Sequence, residues 1–131
     1  RAVFTLDLRN TDADALVEAV RRMFKYASEV ATAEGVKLSH RSLADFAPVS
    51  FDESIVARVE SLAKAHGHSV RRMPSGAGHD AQMFARQCPS GMIFVPSVAG
   101  LSHNVAELTH AADIHAGAKL LLGLLHELAD N

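Results

Sequence analysis

Cysteine and the larger aromatic residues are scarce in this chain. Its 131 residues include one cysteine, Cys88, one tyrosine and no tryptophan. A single cysteine cannot form a disulfide within the chain, and it is typical of a protein kept in a reducing compartment, so we expect the cytoplasm. Nothing in the sequence places a base beside Cys88, so a catalytic thiol has little support.

Strong net charge and long apolar runs are missing as well. The formal net charge is −2 at pH 7 and the sequence pI is about 6.5, which argues against electrostatic binding of nucleic acid. No apolar run approaches the roughly 20 residues that a membrane-spanning helix needs, and no signal-peptide pattern is present. We therefore expect no nucleic-acid partner and no membrane partner. The chain opens at Arg1 in a strand-like run, which suggests a piece of a longer polypeptide.

The composition is that of a globular protein, with 48% apolar and 21% charged residues. The length of 131 residues is enough for one domain or for parts of two. Alternating side chains from Val3 to Arg9 predict a strand. Capping residues from Thr11 to Asp14 then precede a helix that ends at Gly35, and a second strand follows from Val36 to about Phe46. The first part is thus predicted to be a β-α-β unit.

The pattern changes at residues 47 to 50, which predicts a boundary between two parts. The elements predicted beyond it are a helix from Asp52 to His66, a strand from His68 to Met73, a helix from Asp80 to Gln87, a strand from Met92 to Val95 and a helix from Ala111 to Ala129. In the last helix the predicted apolar face consists of Ile114, Ala118, Leu121, Leu122, Leu125 and Leu128. This order predicts an α/β fold, α+β overall.

Two glycine-bordered loops each contain a histidine. Backbone N–H groups of the first loop, Gly76-Ala77-Gly78-His79, stand at the start of a predicted helix and could hold a carboxylate or carbonyl oxygen. A tight turn that needs glycine for its geometry explains the same residues equally well. In the second loop His103 precedes Glu107 by four residues, a spacing that allows a metal-binding imidazole with a carboxylate acceptor for its other nitrogen. A loop histidine bonded to backbone is the plainer alternative.

Arg9 ends the first predicted strand on the face opposite Phe4, Leu6 and Leu8. A guanidinium can grip a carboxylate through two parallel hydrogen bonds, so Arg9 could anchor an acidic substrate. The competing interpretation is a surface arginine that pairs with Asp7 or Asp12.

The segments LDLRN (6–10), RRMPSGAGHDAQMFA (71–85) and GMIFVPSVAGLSHNVAELT (91–109), followed by a helix with Asp113 four residues before Gly117, resemble the amidase, hydantoinase and carbamoylase family. This family belongs to the dinuclear-metal peptidase superfamily. The likeness runs through essentially the whole chain and is most specific from Met73 to Asp113.

The resemblance implies a fold and a division of the chain. Residues 1–48 would be the second half of a ferredoxin-like lid that dimerises, and residues 51–131 the C-terminal β-α-β-α segment of an α/β metallohydrolase domain. It also implies roles: His103 as a metal ligand, with Glu107 beside it; Gly76, Ala77, Gly78 and His79 as a substrate-binding loop; and Arg9 as the residue that binds the substrate carboxylate.

The resemblance further implies hydrolysis of a carbamoyl or ureido C–N bond in N-carbamoyl-L-amino acids or related ureido acids, with two divalent ions, Zn²⁺, Mn²⁺, Co²⁺ or Ni²⁺, in the intact enzyme. The family's other metal ligands and its general base lie upstream of these motifs, and their His-x-Asp and Glu-Glu signatures do not occur here. We therefore expect a C-terminal part that holds no metal and is inactive alone. An aminoacylase or peptidase of the superfamily, or a non-catalytic dimerisation module, remains open.

Overall fold

The computed structural model describes residues 1–130. Its elements are helix α1 (Ala13–Ala33), helix α2 (Glu53–Ala65), the one-turn helix α3 (Ala81–Phe84), a 3-10 turn (Val98–Gly100) and helix α4 (Ala111–Ala129). Two compact units form: unit 1 contains residues 1–49 and 74–78, and unit 2 contains residues 50–73 and 79–131. No helix among the described residues is long and apolar enough to cross a membrane.

Unit 1 is built around α1, and the predicted helix is confirmed. The Asp12 carboxylate accepts a hydrogen bond from the Ala15 amide at 2.9 Å and so caps the first turn. Gly35, with φ +63°, lets the chain turn back at the other end, where the Val36 amide bonds to the Ala31 carbonyl at 2.9 Å. Ala31 is buried, and the other members of the predicted apolar face, Leu16, Val20, Phe24 and Ala27, are half-buried.

The predicted α/β fold is wrong: no segment of residues 1–130 forms a β-strand. The four predicted strands, Val3 to Arg9, Val36 to Phe46, His68 to Met73 and Met92 to Val95, have no regular secondary structure. A strand exists only where its N–H and C=O groups pair with a neighbour. No main-chain hydrogen bond among the described residues joins any two of these segments, so neither β-α-β unit forms.

Unit 2 is held together by the packing of α2 against α4. Asp52 caps α2 by accepting hydrogen bonds from the Ser54 and Ile55 amides at 3.0 and 3.1 Å, as predicted from the sequence. The buried side chains of the unit are Ala63, Leu120 and Leu124. The small size of Gly117 lets α4 approach the apolar run at 92–95, because a Cβ at that position would lie 2.5 Å from Cγ1 of Val95.

Two helix predictions need correction. The buried face of α4 carries Leu120 and Leu124, whereas every member of the predicted apolar face is exposed: Ile114, Ala118, Leu121, Leu122, Leu125 and Leu128. α4 is apolar around most of its circumference, so its periodicity does not single out one face. The helix predicted from Asp80 to Gln87 is shorter and spans Ala81–Phe84. Turns follow it up to Pro89, because a proline disfavours the helical conformation in the residue before it.

Candidate functional site

Arg9 and the first glycine loop meet within unit 1. One guanidinium nitrogen of Arg9, Nη1, donates to the Gly76 carbonyl at 2.8 Å, and these residues lie 67 positions apart in the chain. The opposite edge binds Asp7, with Nη2 at 2.6 Å from Oδ2 and Nε at 3.1 Å from both carboxylate oxygens. Arg9 therefore bridges Asp7 and the loop, and its pair with Asp7 is the one that the competing interpretation expects. The binding of a substrate carboxylate by Arg9 stays a prediction.

The charge state of the Asp7–Arg9 pair follows from these contacts. The hydrogen bond from Arg9 lowers the pKa of the Asp7 carboxyl, and the same bond raises the pKa of the Arg9 guanidinium. Both side chains are more than half exposed, at 58% for Arg9 and 62% for Asp7. Solvent screens such a pair strongly, so its main effect is to orient the guanidinium rather than to stabilise the fold.

Local geometry does not account for glycine at position 76. Gly76 is not among the glycines with positive φ, and a Cβ added there would meet nothing within 4 Å. The Ala77 amide donates to the Ser75 hydroxyl at 3.2 Å, so the turn is braced by a side chain. Neither backbone strain nor crowding therefore requires glycine at this position, and the Gly76 backbone borders open space.

His79 continues the same sequence motif within unit 2. Its amide donates to Oε1 of Gln82 at 3.2 Å, so that N–H group is already engaged. Its imidazole stands edge-on to the ring of Phe94, with the ring centroids 5.5 Å apart. The helix that follows has only four residues, so it does not provide the helix N-terminus that the sequence suggested for anion binding.

His103 adopts an unusual backbone conformation in unit 2. Its φ is +55°, in the left-handed region that non-glycine residues rarely occupy. Glu107 accepts a hydrogen bond from the His103 amide, with Oε2 2.8 Å from the nitrogen. The Glu107 carboxylate thus holds the main chain of His103. Its expected role at the imidazole nitrogen stays a prediction.

The described residues do not by themselves form a metal site. Within residues 1–130, no group of three or more histidine, cysteine, aspartate or glutamate side chains comes close enough to hold an ion. A structural zinc ion takes four protein ligands, and a catalytic one takes three plus water. The role of His103 as a metal ligand stays a prediction.

Of the two partners that the sequence offered for Arg9, the structure selects Asp7, since the Asp-x-Arg spacing places both side chains on one face of an extended segment. The structure also adds two participants that sequence reasoning missed. Phe94 contacts His79, and no sequence signal separates it from an ordinary core residue. Ser97 bonds within the loop that carries His103, which its position beside Pro96 did not reveal.

Comparison with known proteins places these motifs in one family. Residues 10–127 match peptidase family M20/M25/M40. The chain is 36% identical to an allantoate amidohydrolase of Escherichia coli, over 98% of this chain and 31% of that protein. It is 37% identical to an N-carbamoyl-L-amino-acid amidohydrolase of Rhizobium meliloti, over 99% of this chain and 31% of the relative. The chain thus spans about a third of the length of these relatives.

The solved structures agree with this placement. A crystal structure of an amidase of the hydantoinase/carbamoylase family from Burkholderia vietnamiensis superposes with a TM-score of 0.82 at 35% identity. The superposition covers 88% of this chain and 28% of that protein. The path of the chain therefore follows that of the known amidase even though no β-ladder forms within residues 1–130. The chain belongs to peptidase family M20/M25/M40.

Proposed function

We propose that the protein carrying this chain hydrolyses a carbamoyl or ureido C–N bond in N-carbamoyl-L-amino acids or related ureido acids. The observation that carries the proposal is the contact between Arg9 and Gly76, at 2.8 Å. It joins a carboxylate-binding side chain to a loop with open space beside its backbone. The names of the relatives, allantoate amidohydrolase and N-carbamoyl-L-amino-acid amidohydrolase, give the substrate class.

Arg9 would bind the carboxylate of such a substrate. A guanidinium has five N–H groups, and Asp7 and Gly76 engage three of its nitrogens through Nε, Nη1 and Nη2. One N–H group on each of Nη1 and Nη2 remains for a ligand. Two parallel hydrogen bonds from these groups to one carboxylate give both charge pairing and a defined orientation.

The loop formed by Gly76, Ala77, Gly78 and His79 would orient the amide end of the substrate. The open space beside Gly76 supports this role, since a Cβ there would meet nothing within 4 Å beyond its two chain neighbours. The ring of His79 lies edge-on to that of Phe94.

His103 would contribute one ligand to a centre of two divalent ions, Zn²⁺, Mn²⁺, Co²⁺ or Ni²⁺, with Glu107 in support. The remaining ligands and the general base would come from outside this chain, so the chain alone would be inactive. The membership in peptidase family M20/M25/M40 supports the metal requirement.

The protein would act as a homodimer in the cytoplasm, on a small-molecule substrate and without nucleic-acid or membrane partners. Unit 1 supports dimerisation because large apolar side chains lie open on it, with Val3 83% and Phe4 73% exposed. Exposed apolar surface of this kind usually marks an interface.

Release of ammonia and of free amino acid from a substrate panel tests the proposed reaction. The full-length protein should hydrolyse N-carbamoyl-L-amino acids or allantoate faster than N-acetyl-L-amino acids or dipeptides. The opposite preference would favour an aminoacylase or peptidase, the alternative that the family description supports. Failure on every substrate, together with a stable dimer, would favour a non-catalytic dimerisation module.

A further inference from the structure

The loop that carries His103 is closed at its base. The Val98 amide donates to the Leu108 carbonyl at 2.8 Å, so the two ends of the loop 98–108 are joined. The Ser97 hydroxyl lies 2.5 Å from the Leu101 carbonyl oxygen and 3.4 Å from that of Leu108. A surface loop with its ends in contact and its own internal hydrogen bonds is an Ω-loop, a common carrier of functional residues.

The backbone of this loop is left-handed at three residues, and two of them, Ala99 and His103, carry a Cβ and are strained. Ala99, Gly100 and His103 have φ values of +56°, +66° and +55°. The left-handed region suits glycine, but it brings the Cβ of alanine and histidine close to the backbone. Such conformations persist only where surrounding contacts hold them, and they cluster at functional sites.

At His103 the holding contact is the carboxylate of Glu107. Its Oε2 accepts the His103 amide at 2.8 Å, and the Glu107 amide in turn donates to the Asn104 carbonyl at 3.0 Å. The Asn104 side chain closes the turn by accepting the Ala106 amide at 2.9 Å. A hydrogen bond from an amide to an ionised carboxylate is stronger than one between neutral groups.

We propose that Glu107 and Ser97 are positioning residues that fix the strained main chain of His103 and thereby aim its imidazole. Glu107 acts through the His103 amide and not through the imidazole ring. Ser97 fixes the base of the loop. This inference rests on the proposed function, in which His103 serves the reaction, but the loop geometry itself does not depend on any substrate.

Amide hydrogen exchange in the full-length protein tests the geometry. In Glu107→Ala the His103 amide should exchange about tenfold faster or more, because it loses its acceptor. In Glu107→Gln the rate should return close to that of the unmodified protein, since the amide oxygen of glutamine can accept the same bond. Ser97→Ala should raise exchange across residues 98–108, whereas the control Ser90→Ala, whose hydroxyl bonds to the nearby Cys88 carbonyl, should leave that loop unchanged.

Kinetics on an N-carbamoyl-L-amino acid test the consequence. Glu107→Ala should lower kcat about tenfold to a hundredfold with KM nearly unchanged, and Glu107→Gln should restore most of it. If Glu107→Gln is as slow as Glu107→Ala while amide exchange is normal, the carboxylate acts at the imidazole and the inference is wrong. Unchanged exchange in Glu107→Ala would also overturn it. Because the exchange experiment needs no substrate, an enzyme inactive on ureido acids would refute the proposed function while leaving the loop geometry testable.

Discussion

At the scale of single residues, Arg9 shows how an exposed side chain gains a defined direction. The pair with Asp7 is largely open to solvent, so it adds little to folding free energy. Yet its contacts through Nε and Nη2, together with the Nη1 bond to Gly76, fix the plane of the guanidinium. An arginine held in this way loses less side-chain entropy when a carboxylate binds than one free in solvent.

Replacing Arg9 by alanine in the full-length protein should therefore weaken binding of carboxylate-bearing substrates. We expect KM to rise about tenfold to a hundredfold with a smaller effect on kcat, since a charge-assisted pair of hydrogen bonds is lost. Arg22→Ala is the matched control, because Arg22 is an exposed arginine of the same unit on α1. If Arg9→Ala raises KM equally for amidated and free-acid substrates, the proposed role of Arg9 in binding the carboxylate is wrong.

At the scale of elements, the sequence predicted helices correctly and strands wrongly, because helix signals act between neighbouring residues. α1 and α2 were predicted from caps at Asp12 and Asp52 and from spacing at three and four residues, all of which act within a helix. Strand prediction failed because a strand depends on a partner far away in sequence. The contact between Arg9 and Gly76, separated by 67 positions, was out of reach for the same reason, although both residues were singled out individually.

Two glycines on α4 provide a matched test of the packing in unit 2. A Cβ at Gly117 would lie 2.5 Å from Cγ1 of Val95, a stiff β-branched side chain, whereas one at Gly123 would lie 3.5 Å from Leu62, an ordinary contact. Gly117→Ala should therefore lower stability by about 1 kcal/mol despite its gain in helix propensity. Gly123→Ala should raise it by about 0.5–1 kcal/mol. Thermal unfolding of both variants gives the answer, and equal stabilisation by both would contradict the close packing at Gly117.

At the scale of the whole molecule, little of the chain is buried. The buried apolar residues within 1–130 are Ala31, Ala63, Leu120 and Leu124, while many large apolar side chains remain open. Of the residues singled out, Arg9 and Gly76 belong to unit 1, and His103 and Glu107 belong to unit 2. The proposed function assigns one metal ligand, His103, to this chain and the remaining ligands to residues outside it.

Calorimetric titration of Zn²⁺ and Mn²⁺ into the 131-residue chain, with His103→Ala beside it, tests whether this chain holds only one ligand of a metal centre. A single imidazole on a loop cannot compete with a site of three or four ligands. We therefore expect weak binding, no tighter than an ordinary surface histidine gives, and little difference between the two proteins. Tight stoichiometric binding that His103→Ala abolishes would contradict the account, because the chain would then hold a complete metal site of its own.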